Sequence, residues 1–174
     1  MTPYDVIVSK REWRTYAERP VPEDTLRRIL NAGRMSGSSR NSQPWHFVVV
    51  RDPARRRQLA AFGRFARHLP GAAAVVCVIV DGPKALFDAG RCAQNMMLAA
   101  WSFGVASCPA TLHQEREARA FLGVPEGRVI ATAIALGYPH GGPRGPVERT
   151  ALRILAGRGR RPLASMLSWE QYGA

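Results

Sequence analysis

The chain has 174 residues, 46% hydrophobic and 22% charged, which is the size and composition of one folded domain with a real core, not of a disordered or fibrous polymer. Its formal net charge of +12 is carried almost wholly by arginine, the only lysines being Lys10 and Lys84, so an anionic partner is expected. The longest apolar run, residues 72–80, falls well short of the roughly 20 residues that cross a bilayer, and no signal-peptide pattern is visible, so a cytoplasmic location without a membrane partner is expected.

In chain order, Pro3 to Ser9 reads as one or two helical turns, followed by the basic run Lys10-Arg11-Glu12-Trp13-Arg14. Pro20-Val21-Pro22-Glu23-Asp24 is a helix entrance, with proline in the first turn and acids where they complement the helix dipole. That helix runs to about Met35, with Gly37 positioned to end it. His46 to Arg51 is a strand, and Asp52-Pro53 opens a basic helix expected to reach His68. Ala73 to Asp81 is a second strand, apolar throughout and so buried on both faces. Gly82-Pro83 starts a long helix to about Phe103, whose apolar residues cover more than one stripe and mark it as central. Val105 to Cys108 is a short strand or extended loop, continued by loop at Pro109-Ala110-Thr111. A helix over His113 to Leu122, a strand over Arg128 to Leu136 and a short helix over Val147 to Ala156 complete the pattern. Helix and strand alternate, which restricts the class to α/β or α+β.

Several chemistries are excluded by spacing. Cys77, Cys92 and Cys108 form no C-x-x-C pair and read as buried free thiols, and the four histidines have no ligand spacing, so no metal site is expected. There is no G-x-G-x-x-G after a strand, no phosphate-binding G-x-x-x-x-G-K-[ST] and no G-x-S-x-G. The basic residues lack interleaved aromatics and any DNA- or RNA-binding signature, which disfavours nucleic acid as the partner. The loop Gly37-Ser38-Ser39-Arg40-Asn41-Ser42-Gln43-Pro44-Trp45 is dense in side-chain donors and acceptors. Such a loop either ties down its own backbone or presents those groups to a flat polar ligand.

Taken in order, these segments resemble the FMN-dependent nitroreductase superfamily along nearly the whole chain. Lys10 to Arg14 is similar to its N-terminal basic motif, and Ser38-Ser39-Arg40-Asn41-Ser42-Gln43-Pro44-Trp45 to its Pro-Ser-x-x-Asn-x-Gln-Pro-Trp block. Ala93-Gln94-Asn95-Met96-Met97-Leu98 resembles its central helix, Leu136-Gly137-Tyr138-Pro139 the end of its last core strand, and Arg158-Gly159-Arg160-Arg161-Pro162-Leu163 its closing basic motif. The resemblance implies an α+β fold, a nitroreductase-like mixed sheet flanked by helices, in a domain-swapped homodimer. It implies one domain over residues 1–174, with residues 157–174 as an arm reaching the partner subunit.

The implied cofactor is FMN, with NADH or NADPH as co-substrate and a small oxidised acceptor (nitroaromatic, quinone or enone) as the second substrate. By the same resemblance, Lys10, Arg11, Arg14, Arg158 and Arg160 surround the flavin phosphate, and Ser38, Ser39 and Asn41 face the ring or ribityl chain. Pro109, Ala110, Thr111 and Leu112 run backbone past the redox-active nitrogen, and no side chain is assigned as a catalytic acid or base. Glu12 stands where the family has a serine; an acid there repels phosphate unless it is paired with Arg11, Arg14 or Arg161, or else the cofactor preference is altered. Other chemistry on the same fold (flavin cleavage, dehalogenation, azoline oxidation) is an alternative, and a basic nucleic-acid-binding protein without flavin is a more distant one.

Overall fold

The computed structural model describes residues 2–142 and 160–172, which fall into two units divided after residue 143. The first unit carries the helices α1 (Pro3–Ser9), α2 (Glu23–Arg34), α3 (Pro53–Ala61), α4 (Leu86–Ser102) and α5 (Glu115–Leu122). Its strands are β1 (Trp45–Val50), β2 (Ala74–Val80), β3 (Ala106–Ala110) and β4 (Val129–Gly137). They form one four-stranded sheet in the order β1-β2-β4-β3, antiparallel at every pairing. Among the described residues a parallel element enters through the bridge between Glu12 and Ser107. This is the α+β architecture expected.

All seven residues of β2 are buried, so the sheet needs cover on both faces. One face is packed by α2 and α4 through Leu26, Ile29, Cys92, Met96 and Ala100 against Val76, Val78 and Val80. The other is packed by Leu59 of α3, Ala118 of α5, and Ala66 and Leu69 of the connecting turns, against Val75, Cys77 and Ile79. The alternation of β2 side chains between the two clusters is the two-residue period of a strand. Cys77, Cys92 and Cys108 are buried, and burial pushes the Cys77 and Cys92 thiols up to about 12.

Local chemistry explains the element ends. Thr2 and Asp5 close a reciprocal capping box at the start of α1. Asp52 caps α3 through the Arg55 amide at 2.7 Å. The basic helix expected to reach His68 stops at Ala61, and the chain continues in tight turns to Gly71. Beyond the helix end the Phe62 carbonyl accepts from the Gln114 amide at 3.0 Å, and Gly63 permits a close approach, since a Cβ there would lie 2.8 Å from the Thr111 carbonyl oxygen. β3 extends through Pro109 and Ala110, which were expected to be loop. The helix expected over 147–156 lies outside the described residues.

The second unit, described over residues 160–172, holds a 3-10 turn at Leu163–Met166, secured where the Ser165 hydroxyl donates to the Pro162 carbonyl at 2.8 Å and Arg161 Nη2 to the Ser165 carbonyl at 2.7 Å. Leu163, Met166, Leu167, Trp169 and Tyr172 are all exposed.

Gly33 sets the approach of α2 to α4, since a Cβ at that position would lie 2.6 Å from Met96 Cγ. Overpacking there costs about 1–3 kcal/mol, against about 1 kcal/mol gained in helix propensity by alanine. Gly33→Ala is therefore expected to lower Tm by several degrees in a thermal melt, and an unchanged or raised Tm would show that α4 yields freely.

Candidate functional site

β3 is an edge strand of the sheet, and the basic segment after α1 lies along its free side. The Trp13 amide donates to the Ser107 carbonyl at 3.0 Å, and Tyr16 bridges to Pro139 beyond the end of β4. Lys10 and Tyr16 are buried and Glu12 and Arg14 half-buried, whereas Arg11 and Thr15 are exposed. Trp13 is half-buried too and packs against the core.

Lys10 and Glu12 form a compact charged pair. The Lys10 ammonium donates to Glu12 Oε1 and lies 3.7 Å from Met97 Sδ of α4. Glu12 is thus paired, with Lys10 as its partner. Its second oxygen, Oε2, and the Ser107 hydroxyl are buried without a hydrogen-bond partner. Deeper in, Tyr16 donates to the Trp13 carbonyl, and burial drives its phenol far above the ordinary tyrosine range.

His68 sits beneath β3, where Nε2 lies 3.3 Å from the Cys108 carbonyl oxygen. A carbonyl can only accept, so that nitrogen carries the proton. Burial lowers the His68 pKa, and the Arg14 charge adds to the effect, so the ring is held neutral. His68, Tyr16, Met97 and Ser107 were not singled out from the sequence. The one available signal is that Ala66, His68 and Leu69 fall in a run otherwise spaced for burial.

Arg11 is exposed, and its Nη1 donates to the Val8 and Lys10 carbonyls at 2.8 and 2.9 Å, closing the C-terminal end of α1. The rest of its guanidinium fork faces outward. Further along β3, the Ser107 carbonyl faces away from β4, so by the two-residue period the Pro109 backbone does too. Proline at such a position removes an amide that would otherwise stand unpaired on a sheet edge. Pro109 and Thr111 are exposed there, whereas Ala110 and Leu112 anchor the strand in the core.

The polar loop before β1 lies elsewhere. Arg40, Asn41 and Gln43 adopt positive φ of 52°, 54° and 48°. For residues other than glycine, each such conformation costs on the order of 1–3 kcal/mol and needs external support. The Gln43 amide donates to Ser38 Oγ at 2.9 Å, and the Asn41 and Ser42 amides donate to the Ser38 and Ser39 carbonyls, both at 3.0 Å. The Ser39 amide donates to Asp88 Oδ2 of α4 at 3.2 Å, and Arg91 holds that carboxylate from 3.7 Å. Ser38 therefore serves the turn, while the Ser39 and Asn41 side chains are exposed.

These positions decide which predicted residues meet. The basic segment that carries Lys10, Arg11 and Arg14 meets β3 at Ser107, two residues before Pro109. The loop holding Ser38, Ser39 and Asn41 docks at Asp88, nine residues before Met97 on α4, which is about 14 Å along the helix axis. Arg160 is exposed and belongs to the second unit, and Arg158 lies outside the described residues. Among the described residues, no group of three His, Cys, Asp or Glu side chains is placed to hold a metal.

The Nitroreductase family model matches the chain over residues 7–77 and 63–138. A protein of Thermus thermophilus named NADH dehydrogenase is 32% identical over 191 residues, covering 83% of this chain and 92% of its own. An Archaeoglobus fulgidus protein provisionally named NADH dehydrogenase/NAD(P)H nitroreductase is 30% identical over 145 residues, 77% of this chain and 83% of its own. A provisionally named nitroreductase from Desulfovibrio desulfuricans, solved in complex with FMN, superposes with a TM-score of 0.83 at 27% identity, covering 99% of this chain and 98% of its own.

A neutral native His68 makes the unfolded chain the better proton acceptor in mild acid. The stability that His68 contributes is complete above its unfolded pKa of about 6.5 and is lost as pH falls below it. Thermal melts at pH 7 and pH 5 are expected to show a smaller acid-induced drop in Tm for His68→Gln than for the unaltered chain. Equal drops would remove His68 from the acid limb.

Proposed function

This chain belongs to the nitroreductase family, and from that premise we propose that it is an FMN-dependent NAD(P)H oxidoreductase acting on a small oxidised acceptor. The observation that carries the reading is the pairing of a basic segment with the free edge of β3 at Ser107. FMN held there would supply two-electron chemistry between NAD(P)H and a small oxidised acceptor such as a nitroaromatic, quinone or enone.

The residues fit such a group. The outward part of the Arg11 fork suits a phosphate, joined by Arg158 and Arg160 from the closing motif. The exposed backbone from Pro109 to Leu112 offers a flat edge for a planar ring, and Ser39 and Asn41 offer polar side chains on a loop of fixed shape. No acid or base is assigned; the chain's work is to bind and orient.

The separation of the loop from the basic segment supports a homodimer in which each site takes the loop from one protomer and the basic segment from the other. Exposed apolar side chains on Tyr4, Ile7 and Val8 of α1, and on Leu86 and Phe87 of α4, support the same assembly, since α1 buries none of its own seven residues. In this reading residues 157–174 form an arm, and exposed Leu163, Met166 and Trp169 are its grip on the partner subunit. Among the described residues no helix is long and apolar enough to cross a membrane.

Purified protein is expected to be yellow, or to take up added FMN, and to oxidise NADH or NADPH in the presence of a quinone or nitro compound. Colourless protein that fails to take up FMN would sink this reading. A chain ending at Gly157 is expected to lose at least about tenfold in FMN affinity, as removal of charged phosphate donors costs; full retention would refute the clamp by Arg158 and Arg160.

A further inference from the structure

Lys10 is the lysine of the basic segment and its most buried cation, at 9% exposure. Its ammonium is already engaged, by Glu12 Oε1 on one side and Met97 Sδ on another. The Glu12 carboxylate is held inward by the bridge to Ser107, and its Oε2 is buried without a hydrogen-bond partner. The pair is therefore locally neutral and fixed by backbone pairing. An anion arriving beside it meets a positive and a negative charge at similar range, and the two largely cancel. Arg11, in contrast, is exposed with part of its fork outward.

We infer that Glu12 is a built-in counter-ion that withdraws Lys10 from phosphate recognition, so that of the two the segment offers Arg11 and not Lys10 to the flavin phosphate, and FMN is preferred over riboflavin by a narrowed margin. The inference rests on the flavin-binding reading above. Glu12 acts through Lys10 and is a specificity residue, not a catalytic one. Restoring a neutral side chain at position 12 frees the ammonium for the phosphate and widens the margin. Removing both members of the pair leaves the local charge as it was and leaves the margin unchanged.

The test is a fluorescence-quenching titration of the full chain, stripped of flavin, with FMN and with riboflavin at fixed ionic strength. The ratio of the two dissociation constants isolates the phosphate and cancels effects on folding common to both ligands. Glu12→Gln is expected to raise the preference for FMN about tenfold or more, the effect of adding one charged donor to a phosphate. The double variant Lys10→Met/Glu12→Gln is expected to return the ratio to within about twofold of the unaltered chain, since sites in one network do not add. A ratio unmoved by Glu12→Gln, or one that collapses in the double variant, would overturn the inference and make Lys10 a phosphate ligand. Failure of the unaltered chain to bind either flavin would instead overturn the flavin reading, and this inference with it.

Discussion

The complete burial of β2 is the constraint on which the rest of the fold depends. A strand apolar on both faces must have neighbours on both edges and cover on both sides, or its burial is lost. β1 and β4 supply the edges, α2 and α4 cover one face, and α3, α5 and the turns through Ala66 and Leu69 cover the other. The close approach at Gly33 brings α2 onto α4, and α4 spans the sheet from Asp88, where the polar loop docks, to Met97, where Lys10 docks. One buried helix thereby sets the distance between the polar loop and the basic segment.

Placing β2 and β4 centrally leaves β3 as an edge, and an edge must be paired, blunted or used. The chain pairs the Ser107 end with Glu12 and Trp13, and blunts the next outward position with Pro109. The same pairing fixes which residues of the basic segment turn inward. Lys10 and Glu12 go in together and neutralise each other, and Arg11 stays out with part of its fork free. Charge count alone overstates the donors this segment offers to a phosphate; the edge pairing decides how many are available.

Much of this was legible in the sequence, for physical reasons that can be named. The unbroken apolar run of β2 and the multi-stripe pattern of α4 announce double burial, because no other arrangement removes so much apolar surface from water. Asp52 marks a helix start through a local hydrogen bond that needs no tertiary information. What was not legible depends on distant partners. The early end of α3 goes with the Phe62 carbonyl accepting from the Gln114 amide, and the inclusion of Pro109 in β3 follows from pairing with β4. In the site, the basic segment and the loop were visible as chemistry. The Lys10–Glu12 pairing was not, because it arises from the direction that the edge bridge imposes on side chains two apart. Nor could sequence show that Ser38 spends its oxygen on the turn while Ser39 and Asn41 remain exposed.

The central claim is that each flavin site joins the basic segment of one protomer to the loop of another. Complementation tests it most directly. Arg11→Glu and Ser39→Trp are each expected to abolish FMN binding when alone. Random mixing of the two during refolding makes half of the dimers heterodimers, each with one intact site of two, so FMN binding should recover to about a quarter of the unaltered level. Recovery to that level is the predicted result. No recovery from two variants that are each well folded and dimeric would place the whole site within a single chain and contradict the account.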